Sequence, residues 1–242
     1  MQHTQAALLS ILIPVYNEEK TLGLILEKIA DVELFEGIRK EIIVINDGSE
    51  DDSKSVVTRF QQKHPSLTVK YLYHTSNQGK GAALHTGLQQ ARGNYLIIQD
   101  ADLEYDPREY NLLLQPMVEG FADVVYGSRF IGNRPHRTLY FWHYVGNRFI
   151  TFLSNLMTDL NLTDIETCYK LFRTEYLQSL QLKEKGFGFE PEITAKISKI
   201  KGIRIYEIGI SYYGRTYKEG KKITWKDGFW ALYCILRYNL FG

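Results

Sequence analysis

Along the first hundred residues the hydrophobic positions fall into short blocks, each followed by a polar cluster and then by apolar residues at helical spacing. Residues 8–15 form a nearly continuous apolar run that ends in Pro14-Val15-Tyr16-Asn17-Glu18-Glu19. Leu22, Ile25, Leu26 and Ile29 then recur at the three- and four-residue steps of one helix face, up to residue 30. Residues 41–45 repeat the pattern as a short buried strand, followed by Asn46-Asp47-Gly48-Ser49 and a polar helix over 52–63. A third strand over 68–73 leads through His74-Thr75-Ser76-Asn77-Gln78-Gly79-Lys80-Gly81 into a helix over 82–91. A fourth strand, Tyr95-Leu96-Ile97-Ile98, opens into Asp100-Ala101-Asp102-Leu103-Glu104. Strands this uniformly apolar, alternating with helices, predict an α/β fold: a mixed, mainly parallel sheet with helices on both faces. The loops after the strands then gather on one edge, where open α/β sheets bind ligands.

The second half is less regular. A strand over 122–126 runs into Gly127-Ser128-Arg129. Residues 138–160 form an apolar helical region containing Asn147 and Arg148; it reads as core, with a lipid-facing edge as the alternative. A helix from Gly188 to Lys199, with Pro191 in its first turn, precedes strands over 203–206 and 208–212. The division expected is one catalytic domain over 1–224 and an aromatic amphipathic helix over 225–242, lying on a membrane surface, on the domain or on another subunit.

Composition narrows the classes. The 242 residues are 44% hydrophobic and 24% charged, which suits a globular chain with an ample core. A formal charge of +1 gives no basis for nucleic-acid binding. The two cysteines, Cys168 and Cys234, lack the spacing of a disulfide framework or a zinc site and fit a reducing compartment. Neither a signal peptide nor a membrane span is expected, since the run from Ala6 is broken by Pro14, Asn17 and two glutamates.

The acidic turn carries the clearest chemistry. Carboxylates this close repel one another unless a cation or a shared proton compensates. Hard oxygen ligands suit Mg²⁺ or Mn²⁺, with substrate phosphates completing the shell. An acidic turn after a strand is also common by chance, so the argument rests on convergence: Tyr16, Asp47, Asn77, Lys80 and residues 100–104 share one sheet edge. Dinucleotide and Walker A readings fail, because the first strand does not lead into GxGxxG and the Gly79-Lys80-Gly81 loop has the wrong spacing. Gly79 and Gly81 are expected to let the backbone approach a ligand, beside a helix N-terminus offering free N–H groups.

Taken in order, Pro14-x-Tyr16-Asn17-Glu18, Asn46-Asp47-Gly48-Ser49, Asn77-x-Gly79-Lys80-Gly81 and Asp100-Ala101-Asp102-Leu103-Glu104 resemble family 2 glycosyltransferases of the GT-A fold. The likeness is to the dolichol-phosphate mannosyltransferase-like branch, and Gly127-Ser128-Arg129-Phe130 and residues 215–222 share it. The resemblance implies an inverting transfer from a nucleotide sugar of GDP-mannose or UDP-glucose type to a polyprenyl phosphate, at the cytoplasmic face of the cell membrane. It implies that Pro14, Tyr16 and Glu18 frame the nucleoside and that Asp47 bonds its base or ribose. Asn77, Lys80, Gly81, Asp100 and Ala101 would complete the donor pocket, and Asp100, Asp102 and Glu104 would hold the metal. Catalytic roles fall to Asp102, Arg129, Arg215 and Lys221, with Ser128, Asn147, Arg148, Asp164 and Glu166 on the acceptor side. Two departures stand out: Asn46 where many relatives carry Asp, and Glu104 where several carry Gln. A phosphate acceptor arrives largely ionised and needs no base, so Asp164 or Glu166 would position a basic group there, whereas a hydroxyl acceptor would need one of them to take its proton. The rivals are thus the same fold acting on a saccharide or other hydroxyl in cell-surface polysaccharide synthesis, and a non-catalytic sugar-nucleotide-binding subunit; a homo-oligomer or a membrane partner subunit fits either. A sugar-1-phosphate nucleotidyltransferase would want a basic Gly-rich loop where Tyr16-Asn17-Glu18 stands.

Overall fold

A computed structural model describes residues 7–132, 134–138, 140–216, 219–220 and 225–241. Strands β1 (Leu8–Val15), β2 (Arg39–Asp47), β3 (Thr68–His74) and β4 (Tyr95–Ile98) are parallel, with helices α1 (Glu19–Asp31), α2 (Ser53–Lys63) and α3 (Lys80–Leu88) between them. After α4 (Tyr110–Val118) come β5 (Val124–Ser128), α5 (Phe141–Thr158), β6 (Lys170–Arg173), α6 (Thr174–Ser179), α7 (Phe189–Ile197), β7 (Ile205–Gly209) and α8 (Trp225–Leu240). The seven-stranded sheet runs β3-β2-β1-β4-β6-β5-β7.

Pleating explains why the early strands read as unbroken apolar runs. Leu9, Ile11 and Ile13 face one core, shared with Leu22, Ile25 and Leu26 of α1, while Leu12, Ile43 and Ile45 face the other, with Ala83 and Leu84 of α3. Both faces are covered, so no position of β1 is left to solvent and no alternation shows.

The structure corrects the reading of the second half. Strand β6 lies between β4 and β5, antiparallel to both, with Leu96 opposite Phe172 and Val125 opposite Leu171. Four residues opened by Lys170 and closed by Arg173 give no readable period, although the Lys170 side chain is fully buried. The two strands expected over 203–212 are a single one, β7, followed only by an isolated bridge between His136 and Tyr212. Helix α4 was not foreseen either; it carries Pro116 inside its last turns.

Helix α8 packs beside α5, where a Cβ built on Gly228 would stand 3.9 Å from Ile150, and on α7, where Ala195, Cys234 and Tyr238 form a small core. Glu184 anchors it, accepting from Trp230 Nε1 at 2.8 Å and Tyr238 Oη at 2.6 Å. Among the described residues no helix is long and apolar enough to cross a membrane.

Candidate active site

Strand order reverses between β1 and β4, since β2 and β3 build outward on one side of β1 and β4 lies on the other. Such a switch point leaves a crevice beyond the carboxyl ends of the strands. A cavity of about 440 Å³ lies at this edge, a volume suited to a small ligand.

Its first wall comes from the loops after β1 and β2. Pro14, Tyr16 and Glu18 line it, and the loop is stitched to its neighbour: Asn17 accepts from the amide of Glu50 at 2.9 Å, and Ser49 Oγ accepts from the amide of Asn17 at 3.0 Å. Asn17 takes φ 52°, a left-handed turn that aims the chain into α1. Asp47 also lines the cavity, but its carboxylate is 3% exposed and already engaged. Its oxygens accept from the amides of Gln78 and Gly79 at 3.0 and 2.8 Å, and His74 Nδ1 lies 2.6 Å away. His74 Nε2 is in turn 2.9 Å from Thr86 Oγ1, so the pair fixes the 75–79 loop to α3. Asp47 therefore holds the shape of the loop that carries Asn77 into the wall.

The glycines of that loop answer to the protein's own chain. A Cβ on Gly79 would stand 2.4 Å from the carbonyl oxygen of Lys185, and one on Gly81 2.3 Å from that of Glu184. The amide of Ala82 donates to the Lys185 oxygen at 3.0 Å. Gly81 is absent from the cavity lining, so its place in a donor pocket is corrected: it is glycine so that the 184–186 segment can pack against the start of α3. That contact brings Phe187 into the cavity.

The floor is the acidic turn. Lys80 Nζ meets Asp100 Oδ1 at 2.5 Å and Cys168 Sγ at 2.9 Å. Burial opposes the charge on Lys80, yet the Asp100 carboxylate beside it keeps the ammonium well above its ordinary range. Leu103 adopts φ 64°, strained for a branched side chain, so that Asp102 and Glu104 both face Arg215. Arg215 Nη2 donates to Asp102 at 2.8 Å, its guanidinium reaches Glu18 at 3.3 Å, and its amide donates to Glu104 at 2.8 Å. Glu104 also accepts from Tyr212 Oη at 2.7 Å. Burial, with the charges of Asp100 and Glu104, pushes the Asp102 carboxyl up to about 7 against the pull of Arg215.

This geometry narrows the expected metal set. No three His, Cys, Asp or Glu side chains among the described residues converge as a ready-made cation cage. Asp100 is tied to Lys80, Glu104 to Tyr212 and Arg215, and Asp102 to Arg215; of the three, Asp102 is the one that burial and its two acidic neighbours push up in spite of its partner, so a cation would most relieve it. A hard carboxylate in that state fits Mg²⁺ or Mn²⁺ in the mode where one or two protein carboxylates act and phosphate oxygens supply more of the shell.

The acceptor-side expectations separate. Asn147 and Glu166 line the cavity, together with Arg129 of the catalytic set and Ala101 of the donor set. Ser128 and Asp164 are buried and do not line it, and Arg148 is exposed on α5 outside the lining. Asp164 is fully buried and grips Arg129 with both oxygens, at 2.6 and 2.7 Å. A carboxylate so engaged is no proton acceptor, which removes Asp164 as the base of the hydroxyl alternative; what it does is position a basic group, Arg129, whose fork it takes up. Glu166 differs: its Oε1 is buried with no hydrogen-bond partner, and burial pushes its carboxyl up to about 7, against the pull of Lys170. Lys221 lies outside the described residues. The sequence reading missed His143, Tyr105, Cys168, Phe187 and Tyr212, all in the wall. His143 was findable, standing one helical turn from Asn147 on the same face of α5.

The acidic turn and Lys80 thus stand together beyond the strand ends, at the switch point of the sheet. The chain belongs to glycosyl transferase family 2, whose model matches residues 10–181. It is 30% identical over 220 residues to the undecaprenyl-phosphate mannosyltransferase of Micrococcus luteus, covering 87% of this chain and 85% of that one. It is 24% identical over 217 residues to the dodecaprenyl-phosphate galacturonate synthase of Rhizobium johnstonii, covering 90% of this chain and 62% of that protein. Among solved structures, glucosyl-3-phosphoglycerate synthase from Mycobacterium tuberculosis, in complex with Mn²⁺, UDP and phosphoglyceric acid, has the same fold, with a TM-score of 0.75 at 18% identity over 98% of this chain and 80% of that one.

Proposed function

We propose that this glycosyltransferase moves a sugar, with inversion, from a nucleoside-diphosphate sugar to a polyprenyl phosphate, using a divalent cation. The observation that carries the reading is the floor of the cavity: Asp102 crowded by Asp100 and Glu104, with Arg215 and Lys80 within reach. The names of the two bacterial relatives support the acceptor. Asp102, with Asp100 beside it, would hold Mg²⁺ or Mn²⁺. When bound, that ion supplies Lewis-acid neutralisation of the leaving diphosphate.

Tyr16 and Asn77 flank the nucleoside, while His74 and Asp47 keep the 75–79 loop in place. Arg215, held by Glu18 and Asp102, turns positive charge toward the diphosphate as it departs. An oxygen of the acceptor phosphate attacks the anomeric carbon from the face opposite the leaving group, the bond from that carbon to the diphosphate oxygen breaks, and the nucleoside diphosphate leaves with both electrons. Lys221 is proposed, on the resemblance alone, to join Arg215 there.

One observation favours a second reading. Glu166 is an unpartnered carboxyl facing the cavity and held near neutrality, as a general base for a hydroxyl acceptor would be.

The deciding experiment supplies labelled GDP-mannose and UDP-glucose separately with a polyprenyl phosphate and extracts the product into organic solvent, with and without chelator. Chelator-sensitive label in the organic phase supports the proposal. Label that stays aqueous on a saccharide product, lost in Glu166→Gln, overturns it in favour of the hydroxyl reading.

A further inference from the structure

Arg215 stands among three carboxylates that two separate loops supply, Glu18 from the loop after β1 and Asp102 and Glu104 from the turn after β4. Its Nη2 donates to Asp102 Oδ2 at 2.8 Å, its Nη1 lies 3.3 Å from Glu18 Oε2, and its Nε lies 3.6 Å from Glu104 Oε1. Nε is buried and has no hydrogen-bond partner, so the guanidinium is held by charge on several sides and saturated on none. A guanidinium is a wide planar fork, and carboxylates gathered round it are spread along its edge. Among the described residues no three acids close on one point. A divalent cation asks for the opposite, oxygens drawn in to about 2.1 Å from a single centre.

Asp102 is where the two demands collide. Its Oδ2 is on Arg215 and its Oδ1 accepts from the amide of Glu104 at 3.1 Å. An ion on either oxygen would share the carboxylate with the guanidinium, and positive charges that close repel steeply where water is largely excluded. The charges also count toward an exchange. Glu18, Asp100, Asp102 and Glu104 face Lys80 and Arg215, an excess of two negative charges that one divalent cation would balance. A diphosphate arriving with that cation brings negative charge of its own. Lys80 is held on Asp100 and Arg129 on Asp164, so Arg215 is the basic group of the wall whose partners the cation would take over. Its backbone need not move for this. The amide of Arg215 donates to Glu104 at 2.8 Å, the amide of Tyr213 to the Glu104 carbonyl at 3.0 Å, and the Gly214 carbonyl accepts from Arg137 at 2.8 Å. The guanidinium, at the end of a long flexible stem, can change partner while these bonds keep the chain in place.

We propose that Arg215 and the divalent cation compete for Asp102, so that the cation binds firmly only together with a nucleoside diphosphate that takes the guanidinium over. Glu18 is the positioning residue that holds Arg215 above the acidic turn until then. The inference rests on the cation-dependent transfer reading and is tested apart from it, without acceptor or turnover. Followed by electron paramagnetic resonance, wild type should bind Mn²⁺ alone about tenfold more weakly than with UDP or GDP present, and Arg215→Met should bind Mn²⁺ alone about tenfold more tightly than wild type. Phenylglyoxal labelling of Arg215, read by peptide mass, should rise in wild type when Mn²⁺ is added, because the guanidinium loses its carboxylates, and fall again when UDP or GDP joins the ion. The labelling uses wild type, so it decides even where Arg215→Met is unstable. Equal Mn²⁺ affinity in wild type and Arg215→Met overturns the proposal. Labelling that bound Mn²⁺ leaves unchanged overturns it too, since a general charge effect would tighten the ion without exposing the arginine. Mn²⁺ that binds neither protein, with or without nucleotide, refutes it together with the cation of the transfer reading. The expected couplings without any lipid-linked product leave the competition standing and refute the acceptor instead.

Discussion

Replacing Glu166 by glutamine removes a carboxyl that the fold holds up to about 7, from an ordinary 4.5. The cause is burial, with Glu190 and Asp164 adding to it while Lys170 and Arg129 oppose. A carboxyl raised on folding binds more protons in the native state than in the unfolded chain, so its stabilising contribution is whole below pH 4.5 and is lost as pH rises through about 7. At about 1.4 kcal/mol for each pH unit of difference, the loss approaches about 3 kcal/mol at pH 8 or above. Glutamine cannot ionise and escapes it. Thermal melts of wild type and Glu166→Gln from pH 5 to pH 9 should therefore diverge with rising pH, the variant gaining about 6 °C or more at the alkaline end, at about 2–4 °C per kcal/mol for a domain of this size. Parallel melting curves would refute the argument that Glu166 is desolvated and unpaired. The same variant reads out the acceptor. With a phosphate acceptor, ionisation of Glu166 places a second negative charge by the site, so wild-type transfer falls as pH rises through 7 and Glu166→Gln flattens the profile at a similar kcat. With a hydroxyl acceptor the rate instead rises through 7, and the variant loses about 10²–10⁴-fold.

Other residues give sharper structural tests. Arg215→Ala leaves Glu18, Asp102 and Glu104 facing one another and should lower kcat by about 10²–10³-fold, with partial recovery in Arg215→Lys; an unchanged initial rate would remove Arg215 from the reaction. Asp164→Asn strands the guanidinium of Arg129, so unfolding by denaturant should show a loss of about 3–5 kcal/mol, and a loss under 1 kcal/mol would mean that the pair is hydrated. Gly81→Ala drives a methyl into the backbone carbonyl of Glu184, which cannot swing aside, and should cost about 1–3 kcal/mol in a thermal melt; no change in Tm would contradict the packing of the 184–186 segment.

The parallel half of the sheet was readable because its strands are buried on both faces and its helices repeat at their own period; residues 8–98 announce themselves through local pattern alone. The acidic turn was readable for the same reason, since a strand exit fixes where residues 100–104 must lie. Pairing across the fold was not. That Asp164 is consumed by Arg129 while Glu166, two residues on, is left unpartnered depends on how the segment ahead of β6 meets the end of β5, and β6 itself is four residues with no period. Likewise Gly79 and Gly81 look like ligand cradles until the loop at 184–186, a hundred residues away, is seen to fill the space. Helix α5 shows the limit most clearly: its apolar residues run round both faces, and periodicity shows only that it is helical. Which face meets the core, which lines the cavity and which stands in solvent follows from its neighbours α7 and α8, because burial is a property of contacts between distant segments.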